Sequence, residues 1–439
     1  MWRTISGLAV PLFVAESLGF AVQLGVVAVL GRMGGDAVYI RSLYQPVSLV
    51  VIAVTVGFGV SDQVAAAISK GAGRPRDVMT NAASLARIWL GLGAALYFVL
   101  AIAAPLLTGL FHVDAEHRDT FVSFLRWTSA ANLLGVGTEL LASCLRGYGY
   151  VRHATLLVTC TASVRIVLVA GLGLGTGVGI AAVPVAEATA AVTGITMGLV
   201  LLRRTELWHL PAALIWRRDV LTGLRRIGLP IALSLLLISA YNVAVVGVLG
   251  SYGQDAVAGF TVVSTLQNLV LLPGMVLGTA TAITINQLRG KGDWQRMRGL
   301  MRGGIEVTVA VYVAIAVLVW LVHDPLARLI SGNAGVAAAA GSYLGAVALT
   351  YAVQGPVLTS LTVMEETDGG FRAIVLNALY FGLIVAVSAA AAHAAGSADG
   401  FYETVAYCNL IGVSVPVVAV RHIRKLSAEG TARAAATTG

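Results

Sequence analysis

Twelve long apolar stretches run through the 439-residue sequence. A lipid bilayer has a hydrocarbon core about 30 Å thick, which a helix of about 20 apolar residues can cross. Backbone groups in lipid must be hydrogen-bonded within the protein, which allows only helices or closed barrels, and these stretches lack the alternation of barrel strands. The sequence therefore predicts an all-α integral membrane protein with twelve transmembrane helices near residues 5–30, 43–69, 84–110, 121–143, 153–175, 179–202, 224–249, 256–286, 303–323, 336–362, 372–395 and 402–420.

Charge is scarce in this chain and unevenly placed. Charged residues make up 11% of the sequence, against about 25% in soluble domains, which is too little to cover a water-facing surface. Of the 29 basic residues, 22 are predicted to lie on the same side of the membrane as the N-terminus. Since cytoplasmic loops carry the excess of Lys and Arg, we expect a multi-pass protein of the plasma membrane with both termini cytoplasmic. The net charge of +8 does not indicate a nucleic-acid partner, because the basic residues lie in short loops without interleaved aromatics.

An internal repeat becomes visible when the chain is shifted by 219 residues. Over residues 11–74, 16 of 64 pairs are then identical, including loop glycines and an Asp-Ala-Val triplet at Asp36 and Asp255. Six helices separate the copies, so the repeats are parallel, an arrangement in which one lobe of a transporter moves against the other around a substrate. We expect two six-helix bundles: an N-lobe (1–202), a cytoplasmic linker (203–223), a C-lobe (224–420) and a disordered cytoplasmic tail (421–439).

The repeated motifs resemble those of the multidrug and toxic compound extrusion family. Leu30–Val38 reads LGRMGGDAV, Asp255–Gly259 reads DAVAG, and Gly71 and Gly290 each begin a Gly-x-Gly loop. In that family each half carries such a helix pair and loop, and the resemblance covers almost the whole chain. It implies a secondary transporter that exports a small organic compound by alternating access, coupled to a proton or sodium ion. Related members of the superfamily flip lipid-linked sugars.

The acids that the family uses for coupling are missing from this chain. Carried over position by position, the helix-one Asp would fall at Val26, the Asn and Asp of helix five at Thr161 and Arg165, and the helix-seven Glu near Ile238. None of the usual acids is present at these positions. The resemblance therefore implies the fold, and a coupling site has to be sought among other residues.

Three charged residues lie deep within the predicted helices. An ionisable group at the bilayer centre costs about 2.5–3.5 kcal/mol on insertion scales, and it usually faces the protein interior. Glu16 and Arg165 are expected to face each other in the first lobe, either as a protonatable coupling site or as a permanent ion pair. An Arg165 without a partner would favour an anionic cargo, since Arg stays charged at any relevant pH. Glu187 is the second candidate for coupling, with a structural hydrogen bond as its alternative.

Other polar residues divide into cavity candidates and helix-end contacts. Asp62, Glu139 and Glu306 lie nearer the inside ends of helices and are expected to reach water there. An acidic group at 365–368 is expected to pair with Arg372 or with neighbouring basic loops, with a role in cation entry as the alternative. Neutral polar residues at membrane depth either contact cargo or bond helix to helix; they are Gln23, Asn242, Gln267, Asn268 and Gln354.

The favoured function is transport of a small organic substrate by a monomer that lies in the lipid bilayer. No cofactor other than a coupling ion is expected. Two alternatives stay open, a flippase for lipid-linked substrates and a biosynthetic membrane enzyme that reuses the fold. Against the enzyme, the chain has no Walker A loop, no HExxH and no GxSxG motif. Its three cysteines show neither zinc nor disulfide spacing and are expected to be small buried residues.

Overall fold

The structure is a computed structural model that describes residues 2–330 and 333–438, and these are helical almost throughout, without a strand. Six long helices come first: α1 Trp2–Met33, α2 Gly35–Gly71, α3 Pro75–Leu110, α4 Arg118–Tyr148, α5 Val151–Gly175 and α6 Ala182–Arg203. Two short helices follow, α7 Leu210–Leu214 and α8 Asp219–Gly223, and a single wide turn, Leu224–Gly228, leads into α9 Leu229–Leu249. The remaining helices are α10 Gln254–Lys291, α11 Trp294–Ile330, α12 Ala334–Val347, α13 Tyr351–Met364, α14 Gly370–Ala395, α15 Ala398–Ile411 and α16 Ser414–Thr438.

The long helices supply twelve membrane crossings. Ten segments of the described chain are long and apolar enough to cross a membrane. One of them, Ala334–Ala395, holds two crossings, because Thr367 and Asp368 leave the helical conformation between α13 and α14. The other added crossing is α4, which is more polar than the rest and packs against α2, α3, α5 and α6. The predicted all-α fold with twelve transmembrane helices is confirmed.

The chain divides into two compact units at boundaries that differ from those expected. The first unit holds residues 10–232, and the second holds residues 1–9 with 233–439. The segment 203–223, expected as a linker, belongs to the first unit because hydrogen bonds tie it to α3. The expected disorder after Lys425 is wrong, since α16 continues to Thr438. There the Ser427 hydroxyl donates to the Trp294 carbonyl at 2.7 Å.

Loop glycines make matching turns in the two units. Gly34 precedes α2 with a φ of 127°, and Gly253 precedes α10 with a φ of 109°. Gly73 follows α2 with a φ of 67°, and Gly292 follows α10 with a φ of 77°. The members of each pair lie 219 positions apart in the sequence. Because glycine enters this region of φ without the steric cost of a Cβ, the repeat detected in the sequence corresponds to a repeat in backbone geometry.

A proline kink organises the core of the second unit. Pro273 lies inside α10, and proline has no N–H to donate to the preceding turn. The Tyr312 hydroxyl of α11 lies at the kink, 2.9 Å and 3.0 Å from the carbonyl oxygens of Val270 and Leu271, and it accepts a bond from the Gly274 N–H at 2.9 Å. Its side chain is fully buried. One phenol hydroxyl thus hydrogen-bonds to the backbone on both sides of Pro273.

We therefore expect Tyr312→Phe to lower the free energy of unfolding by about 1–3 kcal/mol, because buried backbone groups lose their partner. Denaturant titration of the purified protein in detergent measures this change. Tyr407, which is 70% exposed on α15, provides the matched control. An equal loss in Tyr407→Phe would contradict the assignment of the Tyr312 hydroxyl to the kink.

Candidate functional site

Two glycines let α2 and α4 approach closely in the first unit. A Cβ at Gly147 of α4 would collide with the backbone carbonyl of Gln63 of α2. A Cβ at Gly59 of α2 would lie 2.7 Å from Glu139 Oε1 of α4. Small residues at such contacts are typical of helix packing in membranes. Here they bring polar side chains of the two helices together inside the bundle.

Asp62 lies at this contact and is fully buried. The Ser143 hydroxyl of α4 donates a hydrogen bond to Asp62 Oδ2 at 3.0 Å. The second carboxylate oxygen, Oδ1, has no hydrogen-bond partner among the residues that the structure describes. A buried carboxylate with one donor is poorly stabilised as an anion, because removing a charge from water costs several kcal/mol.

An ion-pair network adjoins Asp62. The Arg146 guanidinium of α4 pairs with Glu139 Oε1 through Nη2, and its Nη1 lies 3.4 Å from Glu16 Oε1 of α1. The Arg146 side chain is 13% exposed, Glu139 is 29% exposed and Glu16 is 48% exposed. Both Glu139 and Arg146 act electrostatically on Asp62. We call Glu16, Asp62, Glu139, Ser143 and Arg146 the carboxylate cluster.

The carboxylate cluster carries more acid than base. It holds three carboxyl groups and one guanidinium, so it has an excess of negative charge when all of them are ionised. The uptake of a cation, including a proton, relieves that excess. Over residues 2–330 and 333–438, no group of three His, Cys, Asp or Glu side chains is arranged to hold a metal ion.

The structure corrects the expected partner of Glu16. Its carboxylate contacts Arg146 and not Arg165. Arg165 instead acts electrostatically on Glu187 of α6, as does Arg41. Glu187 Oε2 is buried without a hydrogen-bond partner in the described chain. The first unit thus holds two separate charged groups. The expected pairing of Glu16 with Arg165 is wrong, whereas a coupling role for Glu16 stays a prediction.

The expectation that Asp62 reaches water is also wrong, since it is fully buried. Ser143 and Arg146 are not recognisable as site residues from the sequence, because Arg146 lies beside a loop, where basic residues are common. A usable signal was present in Gly59 and Gly147, each of which lies close in sequence to a charged residue. Small residues beside charged ones on two neighbouring helices indicate a close contact that carries charge.

The neutral polar candidates do not form one cluster. Gln23 of α1 and Asn242 of α9 are exposed. Gln267 of α10 is half-buried and faces Tyr343 and Tyr351, which favours helix-to-helix bonding for this residue. Gln354 is also half-buried, whereas Asn268 is exposed.

Three acids between α13 and α14, Glu365, Glu366 and Asp368, each contact a different residue. Glu365 Oε1 accepts a bond from the Ser234 hydroxyl at 2.7 Å. Glu366 is 2% exposed and accepts one from the Thr279 hydroxyl at 3.1 Å. Asp368 pairs with Arg289, a basic residue in the last turn of α10. Arg372, one of the expected partners, faces His422 at 3.3 Å.

Comparison with known proteins identifies relatives along both units. The family model MatE matches residues 11–170 and 230–389, two matches separated by the offset of the internal repeat. The chain is 24% identical over 347 residues to the probable multidrug resistance protein YoeA of Bacillus subtilis, covering 74% of this chain and 71% of that protein. It is 24% identical over 298 residues to the probable multidrug resistance protein NorM of Burkholderia pseudomallei, covering 65% and 62%.

Solved structures share the same fold. The Vibrio cholerae MATE transporter VcmN in the bent form aligns with a TM-score of 0.91 and 19% identity, covering 98% of each chain. A MOP superfamily transporter from Pyrococcus furiosus aligns with a TM-score of 0.86 and 18% identity, covering 98% of this chain and 96% of that one. At these identities the likeness concerns the fold alone.

The carboxylate cluster generates a stability prediction. We expect Arg146→Gln to lower the free energy of unfolding at neutral pH by about 3 kcal/mol, because it leaves partly buried carboxylates without their counter-charge. Adding Glu139→Gln should restore part of the loss, which a double-mutant cycle in denaturant titrations measures. Arg152→Gln is the control, since Arg152 is exposed a few residues further along. The network would be refuted if Arg152→Gln cost as much as Arg146→Gln.

Proposed function

Because the chain belongs to the MatE family, we propose that it exports a small organic compound from the cytoplasm by secondary active transport, in exchange for protons. The family membership rests on matches that cover both halves of the chain. The protein is a multi-pass membrane protein, and we propose the plasma membrane as its location, with both termini in the cytoplasm. A monomer suffices in this proposal, since one chain supplies both repeats.

The carboxylate cluster is the observation that carries the coupling proposal. Asp62 is buried, receives one hydrogen bond from Ser143 and stands next to the Glu139–Arg146 pair. When Asp62 takes up a proton, the negative excess falls by one charge. Arg146 is then less strongly held between the carboxylates, so the contacts among α1, α2 and α4 change. In this way protonation favours one arrangement of the helices over another, as coupling by differential binding requires.

The coupling ion is a proton rather than sodium in this proposal. Sodium is a hard cation that needs several oxygen ligands at once, and the near partners of Asp62 Oδ2 offer one hydroxyl. A proton needs a single carboxylate oxygen, and Asp62 Oδ1 has no other bond in the described structure.

The cargo contacts are proposed from the remaining polar residues. Arg165 and Glu187 form the second charged group of the first unit, and we assign them to cargo binding rather than coupling. Gln23 and Asn242 are exposed and lie 219 positions apart, so they offer matched hydrogen-bonding groups in the two repeats. Gln267, Asn268 and Gln354 complete the proposed path.

Transport by purified protein in liposomes tests this function, with ethidium as the cationic probe and carboxyfluorescein as the anionic one. A pH gradient alone should drive export of one of these dyes, which should emerge chemically unchanged. Asp62→Asn should lower the rate under that gradient by at least about tenfold, a loss of about 1.4 kcal/mol in transition-state stabilisation. Dye binding should persist, because Asp62 does not contact cargo in this scheme.

Asp36→Asn is the matched control, since Asp36 lies on the same helix with its side chain 85% exposed. It should transport at the rate of the unaltered protein. Proton coupling at Asp62 would be excluded if Asp62→Asn kept its pH-driven rate. Export driven by a sodium gradient without a pH gradient would replace the proton with sodium.

A further inference from the structure

The segment between α6 and α9 is tied to α3 over several residues. The Thr80 hydroxyl donates to the Ala212 carbonyl at 3.0 Å, and the Arg87 guanidinium donates to the Ala213 carbonyl at 2.5 Å. At the next turn the Arg217 N–H donates to the Ser84 hydroxyl at 3.1 Å. We call residues 203–226 the strap. These hydrogen bonds hold its middle part, residues 212–217, along the first turns of α3.

The strap presents large apolar side chains outwards. Leu214 is 80% exposed, Ile215 is 57% exposed and Trp216 is 44% exposed. An exposed apolar group of this kind marks an interaction surface. Since the backbone here is fixed by α3, these side chains are held outwards and cannot fold back onto the protein.

The exposed apolar group continues the lipid-facing side of α3. Arg87, which holds the strap, precedes Phe98, Ile102 and Leu106 on α3, and these three follow one another at spacings of four residues, which places them along one side of the helix. Those three side chains are 60%, 75% and 77% exposed. In a helix that crosses a bilayer, this face is in contact with lipid. Leu214 therefore lies at the end of a surface that is already covered by lipid.

The strap carries a large excess of positive charge. Between residues 203 and 226 there are six arginines and two acids, Glu206 and Asp219. Arg217 pairs with Asp77 at 3.1 Å, and Arg203 stacks over the Trp208 ring at 5.1 Å. The other four are exposed and form no ion pair with any residue that the structure describes; they are Arg204, Arg218, Arg225 and Arg226.

We propose that the strap is a binding site for anionic phospholipid of the leaflet on its own side of the membrane. Leu214, Ile215 and Trp216 enter the apolar layer beside the acyl chains, and the exposed guanidinium groups bind the phosphates of the headgroups. Apolar side chains next to Lys and Arg are the combination that holds a segment in a membrane interface. Guanidinium is suited to phosphate because it offers paired donors in one plane.

Trp216 supplies a direct probe. The protein is placed in phosphatidylcholine nanodiscs that contain a minor fraction of brominated phosphatidylglycerol or, in a parallel sample, brominated phosphatidylcholine. The contribution of Trp216 to quenching is the difference between the unaltered protein and Trp216→Phe. We expect quenching by both lipids and distinctly stronger quenching by the phosphatidylglycerol. Each arginine near the surface should contribute about fivefold to that preference.

Arg225→Gln/Arg226→Gln should therefore weaken the preference by more than about tenfold. The matched control is Arg298→Gln/Arg302→Gln, which removes two exposed arginines from α11 and should leave the Trp216 signal unchanged. Arg225→Lys/Arg226→Lys keeps the charge and should keep most of the preference, which separates a lost contact from a misfolded strap.

Three results would overturn the proposal. Equal quenching by the two brominated lipids would remove the role of the headgroup charge. Absence of Trp216 quenching would place the strap in water or against a protein partner. Full competition by soluble glycerol phosphate would identify a site for free phosphate rather than for a lipid. None of these measurements depends on transport, so they are independent of the proposed export function.

Discussion

A buried charge must be balanced by groups of the protein, and this constraint governs the first unit. Arg146 stands among carboxylates from α1 and α4, and Asp62 of α2 lies next to them with one hydrogen bond. The glycines at positions 59 and 147 make the arrangement possible, because larger residues would hold the helices apart. Packing and electrostatics are therefore not separable here: the close contact that stabilises the bundle also creates the site where the balance of charge is incomplete.

The two repeats keep the backbone turns and differ in the chemistry of their side chains. Gly34 and Gly253 make the same turn, as do Gly73 and Gly292. Yet Arg146 of the first repeat corresponds to Glu365 of the second, 219 residues later, so the charge at that position is reversed. Glu16, Glu139 and Arg146 of the first unit form one network, whereas Glu365, Glu366 and Asp368 of the second unit each contact a different residue. This difference is the reason that the coupling proposal concerns the first unit alone.

Most of the fold could be predicted because lipid leaves few choices for the backbone. The lengths of the apolar segments predict the helices, and the constant offset between loop glycines predicts the repeat. The ends of α15 and α16 and the strap could not be predicted, because polar composition there suits a loop, and hydrogen bonds to other helices decided otherwise. The site was predicted only in part. The position of Glu16 in the middle of a helix identifies it as a candidate. Its partner depends on how the helix is rotated about its axis, and an apolar sequence contains little information about that rotation. Arg146 was therefore overlooked in favour of Arg165.

The break between α13 and α14 has a consequence for how such a chain can vary. Asp368 adopts a φ of 63° there, and Gly149, its counterpart in the first repeat, adopts 97°. Left-handed backbone tolerates glycine and, among other residues, mainly Asn and Asp. Substitutions at Gly149 and Asp368 are thus mainly restricted to Gly, Asn and Asp, and one of these three residues is an acid. The backbone conformation in this way limits which charged side chains can occupy these helix ends.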